Sequence, residues 1–362
     1  MNRRGFIIGT GAALLAAGAG TEAWRISTGS MAEYEAYGAG LRAPLIPADL
    51  AEVVRYATLA ANSHNTQAWR FRLAKDAVDI MPDLARRTPV VDPDDHHLFV
   101  SLGCAATNLA IAAAASGRPG EIITATDGAG LRYAFTAGTP RPDALLAAIA
   151  KRQSTRAVYD GRAVAAADLS TLQAAAATPG VNLVLVTARA EMALLRDLVI
   201  TGNAAQLNDP AFMRELKQWL RFNPRSAIEM GDGLFSVASG NPALPTPLGR
   251  LAFDQLFSAA SENDKYARQI DSSAGIAIFV GDEADPPHWM KVGQACQRFA
   301  LEATALGLKL AFINQPVEVV RLRAELGRLI GTTKRPDLVL RFGYGPNLPY
   351  APRRPANSVL MS

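Results

Sequence analysis

Apolar residues recur at two spacings along this chain, and the two spacings predict a mixture of helices and short strands. Helical spacing predicts helices over residues 50–61, 94–116, 166–177, 189–206, 287–307 and 316–330, with a further helix that begins at Pro142. Short apolar or β-branched runs predict strands over residues 69–74, 77–81, 121–126, 131–137, 181–187, 274–281 and 337–342. Glycine and proline separate most of these segments and indicate turns between them.

Residues 207–265 show neither spacing. This segment contains Pro210, Pro224 and three more prolines between residues 242 and 247. A segment of this length without regular elements is usually a functional lid or arm, or else mobile. We therefore expect residues 207–265 to be an insertion that acts as a lid.

The two longest predicted helices resemble each other, which matters because an internal repeat changes the expected fold. Five pairs of residues fall in register without a gap: Gly103 with Gly293, Ala105 with Ala295, Leu109 with Phe299, Ala113 with Ala303 and Gly117 with Gly307. Alanine-rich helices align easily by chance. The match is therefore only a weak indication of two related halves.

Composition narrows the class of protein. The 362 residues are 49% hydrophobic and 19% charged, which suits one large globular domain or two of ordinary size. The net charge is +4, but no basic run with interleaved aromatic residues is present, so we expect no nucleic-acid partner. The two cysteines, Cys104 and Cys296, lie in apolar helical runs and are predicted to be buried free thiols.

The N-terminal residues are separate from the fold. Asn2-Arg3-Arg4-Gly5-Phe6 precedes an apolar run, rich in glycine and alanine, from Ile7 to Ala19. This arrangement resembles a twin-arginine export signal. It predicts the Tat export machinery as a partner and a periplasmic or exported location. The sequence leaves open whether the signal is cleaved or stays as a membrane anchor.

Two short polar segments contain most of the side chains suited to binding a ligand. We call Ser63–Trp69 the first polar segment, which offers hydroxyl, imidazole and amide groups. We call Arg152–Arg156 the second polar segment, which offers two guanidinium groups around small polar residues. Guanidinium groups form paired, charge-assisted hydrogen bonds with phosphate. Together the segments predict a pocket for a planar heterocycle that carries a phosphate.

These segments resemble motifs of the FMN-dependent nitroreductases. The stretch from Leu59 to Trp69 resembles the A-x-S-x-x-N-x-Q-P-W segment of that family, with Ala68 in place of the proline, and the second polar segment resembles R-x-S-x-R. The tail, residues 340–345 and 352–355, resembles the family's C-terminal strand and phosphate-binding arginines. The likeness covers nearly all of residues 45–356. It is closest to the Acg-like branch, in which one chain contains two nitroreductase-like halves.

The resemblance implies an α+β, nitroreductase-like fold with two pseudo-repeated halves, in which mainly antiparallel sheets are flanked by helices around long central helices. It implies a signal or anchor with a linker over residues 1–30, a first half over residues 31–150, and a second half over residues 151–362 that includes the lid. Each half retains one of the two polar segments. The resemblance therefore implies one FMN site per chain and a monomeric internal pseudo-dimer.

The resemblance also implies which residues bind FMN: Ser63, His64, Asn65, Gln67, Arg152, Gln153, Ser154, Arg156, Ile313, Asn314, Arg353 and Arg354. A backbone amide in the loop at Ile313 and Asn314 is expected to face flavin N5. Because hydride moves to and from N5, no protein acid or base is obligatory, and no metal is expected.

The implied function is an FMN-binding oxidoreductase that reduces a small organic substrate by two-electron transfer, with NAD(P)H or another electron donor. The alternative is a non-catalytic protein that binds or sequesters flavin under the lid. Other sites are less consistent with the sequence. Asp92–His97 has metal-ligating residue types, but adjacent histidines at a helix start should point apart, and the aspartates suit capping. Neither G-x-S-x-G nor a strand followed by G-x-G-x-x-G is present.

Overall fold

The computed structural model describes residue 22 and residues 24–47, 49–126 and 128–361. The twin-arginine segment and its apolar run lie outside the described residues. In chain order the α-helices are α1 (Met31–Leu41), α2 (Leu50–Thr58), α3 (His96–Ala115), α4 (Leu146–Ile149), α5 (Ala166–Ala176), α6 (Arg189–Leu207), α7 (Pro210–Gln218), α8 (Pro224–Met230), α9 (Thr246–Leu256), α10 (Ala259–Asp271), α11 (Pro286–Ala305), α12 (Gln315–Glu318) and α13 (Arg323–Leu329).

The strands form two four-stranded antiparallel sheets and one short parallel pair. In chain order they are β1 (Trp69–Leu73), β2 (Ala77–Pro82), β3 (Gly120–Thr124), β4 (Leu131–Phe135), β5 (Val181–Val186), β6 (Leu220–Arg221), β7 (Leu234–Phe235), β8 (Gly275–Gly281), β9 (Lys309–Phe312) and β10 (Pro336–Gly343). The first sheet has the order β1-β2-β4-β3 and the second has β5-β8-β10-β9. The predicted α+β class, with mainly antiparallel sheets flanked by helices, is confirmed.

The two middle strands of the second sheet, β8 and β10, are covered on both faces, which explains the uninterrupted apolar sequence of β8. Every residue of β8 and β10 is buried. Phe279 and Leu340 belong to the main core around α3 and α11, whereas Ile278 and Val339 belong to a smaller core with α6, α12 and α13. Because successive residues of a strand point to opposite faces, a strand packed on both sides tends to be apolar at every position, as β8 is; β10 departs from this at the buried residues Asp337 and Arg341.

Helices α3 and α11 cross in the core with their backbones in close contact. A β-carbon built on Gly103 would lie 1.9 Å from the carbonyl oxygen of Met290, and one built on Gly293 would lie 2.0 Å from that of Val100. Each glycine meets the residue three positions before the other glycine, so the contact is reciprocal, as across a two-fold axis. The two glycines aligned in the sequence repeat are therefore the residues that allow this crossing.

In the described part of the chain, α3 is the one helix whose length and hydropathy would suit a membrane span. That observation rests on length and composition alone, and 78% of its apolar window is buried inside the protein. A core helix has the same properties, and the contact of α3 with α11 accounts for its composition.

The segment predicted to lack regular elements, residues 207–265, is largely helical. Prolines begin α7 and α8, where the missing N–H is not needed because first-turn amides have no partner inside the helix. Asp209 accepts a hydrogen bond from the Ala211 amide at 2.8 Å, and Asn223 accepts one from the Ser226 amide at 2.8 Å. Three of the prolines that suggested irregular structure, Pro210, Pro224 and Pro247, therefore lie in the first turn of a helix.

Candidate functional site

A cavity of about 270 Å³ lies between the two polar segments and residues 207–265. Its volume is close to the lower end of the range for small-molecule sites, roughly 300–1,000 Å³. Nine of the predicted binding residues line it: Ser63, His64, Asn65, Arg152, Gln153, Ser154, Arg156, Asn314 and Arg353. The fold thus brings the two polar segments, which are about ninety residues apart in sequence, to one cavity.

The first polar segment has an unusual backbone. His64, Asn65 and Gln67 have φ angles of 43°, 53° and 54°, in the left-handed region that is unfavourable for residues other than glycine. The Gln67 amide donates to Oδ1 of Asn62 at 2.9 Å, which closes the loop on itself. Such strain persists where surrounding contacts enforce it, and it is concentrated at functional sites.

Asn65 connects this loop to two other parts of the chain. Its Nδ2 donates to the carbonyl oxygens of Gly233, at 3.0 Å, and Pro352, at 2.9 Å. Its Oδ1 accepts from Nη1 of Arg353 at 2.5 Å. One amide side chain therefore fixes the loop, the 207–265 segment and the C-terminal tail relative to one another.

We expect Asn65→Gly to destabilise the fold by about 1–3 kcal/mol, because it leaves the buried Gly233 carbonyl without its donor and removes one acceptor of the Arg353 guanidinium. Glycine tolerates the positive φ, so the loss would report the side chain and not the backbone strain. Thermal and urea denaturation measure the effect. Asn182→Ala, at an exposed position of β5, is the control. Equal stability of the two variants would contradict the bridging role.

Three arginines form a cationic wall of the cavity. Arg152 and Arg353 are each only 3% exposed, and Arg42 lies with its guanidinium 3.9 Å from the ring centre of Tyr350. Burial lowers the pKa of all three; Arg42 falls to about 10, and repulsion from Arg152 and Arg42 lowers the pKa of Arg353 further. Within the described ranges none of the three pairs with a carboxylate. The wall therefore favours an anion.

Several buried polar atoms around the cavity have no hydrogen-bond partner among the described residues. Nη2 of Arg152 donates to the carbonyl oxygen of Leu59 at 2.9 Å, but its Nε and Nη1 have no acceptor. Nδ1 of His64 and Oγ of Ser236 are likewise unpaired. A buried donor without an acceptor costs about 1–3 kcal/mol. These atoms fit an anionic ligand that supplies acceptors, as the phosphate of FMN would.

His64 is neutral at physiological pH. Burial, and secondarily the charge of Arg156, lower its pKa to about 4. A neutral imidazole has one donor and one acceptor nitrogen, so His64 contributes no charge to the cavity and can bind either kind of ligand group.

The second polar segment is held by its neighbours. The Thr155 amide donates to the carbonyl oxygen of Leu310 on β9 at 2.8 Å. Oε1 of Gln153 accepts from the hydroxyl of Thr155 and from the Leu348 amide, both at 3.1 Å. Strand β9 therefore positions Arg152 and Ser154 at the cavity.

Three predicted binding residues do not line the cavity. Gln67 is fully buried; its Nε2 donates to the carbonyl oxygen of Gly231 at 2.9 Å, and its Oε1 accepts from the Arg354 amide at 2.9 Å. The Arg354 side chain turns to the carbonyl oxygen of Ser358 at 2.8 Å. Ile313 packs in the smaller core, and its amide donates to Val339 at 2.9 Å. These side chains position neighbouring segments, and their binding role stays a prediction.

The acidic and histidine cluster is organised as a helix cap. Both carboxylate oxygens of Asp92 accept backbone amides, from His97 and Leu98, at 3.0 Å each. The expectation that the two histidine rings point apart is wrong, because their centroids lie 4.6 Å apart. Each ring is instead turned to its own carboxylate: Nε2 of His96 lies 3.0 Å from Oδ1 of Asp337, and Nε2 of His97 lies 3.6 Å from Oε1 of Glu318.

Sequence reasoning missed the residues that complete the cavity. Four of them contribute polar groups from four separate elements: Arg42, His97, Gln206 and Glu318. Others contribute an apolar wall from residues 207–265: Phe212, Leu216, Leu220, Leu234, Phe235 and Phe257. No local motif marks them, because the tertiary fold alone brings these elements together.

A cavity with a cationic wall, a strained polar loop and an apolar wall is suited to an anionic ligand with an aromatic or apolar body.

No family model matches the chain. Over 321 residues it is 29% identical to two proteins named "Putative NAD(P)H nitroreductase", from Mycobacterium tuberculosis strains CDC 1551 and H37Rv. Each match covers 85% of this chain and 90% of the relative. The predicted resemblance to nitroreductases is therefore supported along most of the chain.

Solved structures with partial likeness were also found. The FMN-dependent nitroreductase NfnB from Mycobacterium smegmatis, in complex with NADPH, is 13% identical, with a TM-score of 0.38; the match covers 59% of this chain and 90% of that one. A nitroreductase with bound FMN from Desulfitobacterium hafniense DCB-2 is 15% identical, with a TM-score of 0.38, and the match covers 61% and 99%. The likeness of this chain to nitroreductases rests on the two Mycobacterium tuberculosis proteins and not on these structures.

Proposed function

We propose that this protein is an FMN-binding oxidoreductase of the nitroreductase type that reduces a small organic substrate by two-electron transfer, with NAD(P)H as its electron donor. The proposal depends above all on the buried Nε and Nη1 groups of Arg152, which have no acceptor in the described part of the chain and belong to an arginine cluster that pairs with no carboxylate there. The two polar segments that resemble the family's motifs meet at the same cavity. The two Mycobacterium tuberculosis relatives, whose name is "Putative NAD(P)H nitroreductase", add support.

The residues divide into two groups by the part of FMN that each would contact. Arg152, Arg353 and Ser154 would bind the phosphate, with Arg42 adding positive potential. His64, Asn65 and Arg156 would contact the ribityl chain and ring, and a cation near the pyrimidine edge favours the reduced, anionic flavin. FMN, when bound, supplies reversible hydride transfer. The chain's own residues would hold it in place and keep water from it.

A second candidate function is flavin sequestration without turnover, and the 207–265 segment favours it. Asp232 forms ion pairs with Arg86 and with Arg221, and the Gly231 and Gly233 carbonyls accept from the first polar segment. The lid is thereby fixed by polar contacts to Arg86 and to the first polar segment, part of which lines the cavity. A lid fixed in this way would exclude an electron donor.

Absorbance spectroscopy separates the two functions. Protein purified with FMN should be yellow under both, and anaerobic NADPH should bleach the flavin bands only if the donor reaches the cofactor. A yellow protein that neither NADPH nor NADH bleaches would favour sequestration. A chain that takes up no FMN would refute both.

We further propose the Acg-like arrangement, in which residues 31–150 and 151–362 are the two halves of a monomeric pseudo-dimer. Each half contributes one polar segment, so we expect one FMN per chain, measurable from flavin absorbance against protein concentration. A ratio of two would refute the single site.

We also propose export through the Tat machinery to the periplasm, on the basis of Arg3 and Arg4. Cell fractionation with Arg3→Lys/Arg4→Lys as the control tests it, and an unchanged location would refute it.

A further inference from the structure

Glu318 places a carboxyl group on the wall of the cavity. It is the last residue of α12, and Gln206 and His97 line the cavity beside it. Nε2 of Gln206 donates to Oε2 of Glu318 at 2.6 Å, and Nε2 of His97 lies 3.6 Å from Oε1. Three separate elements, α6, α3 and α12, therefore hold one carboxyl group in a defined position.

The surroundings of Glu318 favour the protonated carboxyl group. Among the described residues no lysine or arginine lies within ion-pair distance of it. Burial is the main reason that the pKa of Glu318 rises to about 7, and the charge of Asp92 raises this pKa further. The hydrogen bond from Gln206 and the charge of Arg323 lower it in part.

The other titratable groups near Glu318 do not neutralise it. Burial lowers the pKa of His97 well below its ordinary value, so that imidazole is neutral. Burial raises the pKa of Tyr266 on α10, and the carboxylate of Glu318 contributes to that rise, so the phenol is neutral as well. Arg323 is half-buried on α13 and pairs with no carboxylate in the described ranges. Glu318 is thus a carboxyl group whose proton can be exchanged near neutral pH.

We propose that Glu318 is the catalytic proton donor to the substrate in the cavity. This inference rests on the proposed function, because a two-electron reduction by hydride must be completed by a proton. The step requires a neutral organic acceptor that takes a hydride at one atom and a proton at another, as a quinone does. The apolar wall from residues 207–265 would contact its ring.

The atoms and electrons balance as follows for a quinone. One carbonyl oxygen would gain a hydride with its electron pair from the reduced FMN of the proposed function, which loses an N–H bond and returns to its oxidised form, while the other carbonyl oxygen takes the proton from the Glu318 carboxyl group. The O–H bond of Glu318 breaks, two O–H bonds form on the acceptor, and the product is the hydroquinone. The amide of Gln206 then donates to the new carboxylate, which regains a proton from water.

Rapid mixing with the FMN-loaded full chain tests this step, with menadione as the acceptor. We expect Glu318→Gln to slow the transfer from reduced flavin to menadione by about a hundredfold, within the roughly 10²–10⁴-fold effect of general acids. Reduction of the flavin by NADPH and the FMN content should stay unchanged. The wild-type transfer rate should fall above pH 7, where Glu318 loses its proton, whereas the glutamine variant should show no such fall.

Three controls separate catalysis from structure. Glu325→Gln, at an exposed position of α13, should match the wild type in every measurement. Glu318→Asp should restore part of the rate and the pH dependence. Infrared titration of the full chain should show a carboxyl band that titrates near pH 7 and is lost in Glu318→Gln.

The outcomes distinguish this proposal from the function on which it rests. A glutamine variant with the wild-type rate and pH profile, or a Glu318 that ionises near pH 4.5 by infrared titration, overturns the proton-donor role while the flavin spectrum leaves the proposed function intact. A chain without flavin uptake overturns the proposed function, and the infrared titration still reports the proton on Glu318.

Discussion

Replacing Arg152 by methionine is expected to weaken FMN binding by about tenfold to a hundredfold. Hydrogen bonds to charged groups contribute about 1.5–3 kcal/mol, and each 1.4 kcal/mol corresponds to a factor of ten in Kd. Nε and Nη1 of Arg152 are buried and have no acceptor among the described residues, so their loss removes contacts with the ligand; the loss of Nη2 removes one hydrogen bond within the protein, to the carbonyl oxygen of Leu59 at 2.9 Å. Fluorescence titration of the flavin-free protein with FMN measures the change.

The same substitution should lower the stability of the flavin-free protein by only about 1 kcal/mol, because removal of a buried, unpaired charge partly offsets the lost hydrogen bond to Leu59. The charge of Arg152 lowers the pKa of the buried Arg353 guanidinium, and methionine fills a similar volume without that charge. Arg328→Met, at an exposed position of α13, is the control and should change neither property. Wild-type affinity for FMN in Arg152→Met would show that this cluster does not bind the phosphate.

The helices and strands that the sequence predicts best are those with strong periodicity or flanking glycine. Strands β5 and β8 begin and end within about one residue of prediction, because each is an apolar run between turns. Strand β9 was missed, since four residues give too short a pattern. The predicted helix over residues 316–330 is two helices, α12 and α13, because Val319 is extended, with φ −85° and ψ 98°.

From the sequence, the candidate site could be predicted only where one short segment contributes several polar side chains. The polar segments could be found because hydroxyl, amide and guanidinium groups are adjacent in each. Glu318 and Gln206, separated by 112 residues, form a 2.6 Å hydrogen bond that no sequence spacing indicates. Gln67 is the opposite case, because the sequence motif indicated it but its side chain does not line the cavity. It forms hydrogen bonds with the carbonyl oxygen of Gly231 and the amide of Arg354 instead.

The contact of α3 with α11 at Gly103 and Gly293 also affects the cavity, because α3 contributes three of its lining residues. These residues are His97, Ser101 and Cys104. Oγ of Ser101 accepts from the Ser63 amide at 3.2 Å, so the position of α3 also sets the position of the first polar segment. A shift of α3 away from α11 would therefore disturb binding as well as the core.

Gly103→Ala is expected to destabilise the protein by about 3 kcal/mol or more, at the upper end of the effect of overpacking a core. The added carbon would lie 1.9 Å from the backbone carbonyl oxygen of Met290, which cannot rotate away as a side chain could. Urea denaturation and the FMN affinity should both report the change. Gly40→Ala in α1, where nothing lies within 4 Å, should be neutral or stabilise by about 0.5–1 kcal/mol.

Gly293→Ala should have a similar effect, because its β-carbon would meet Val100 in the equivalent way. The double variant should lose less than the sum of the two single losses, since helices already forced apart by the first methyl group have room for the second. Additive losses would mean that the two glycines act at independent contacts. A Gly103→Ala variant as stable as Gly40→Ala would show that α3 and α11 do not cross through these residues.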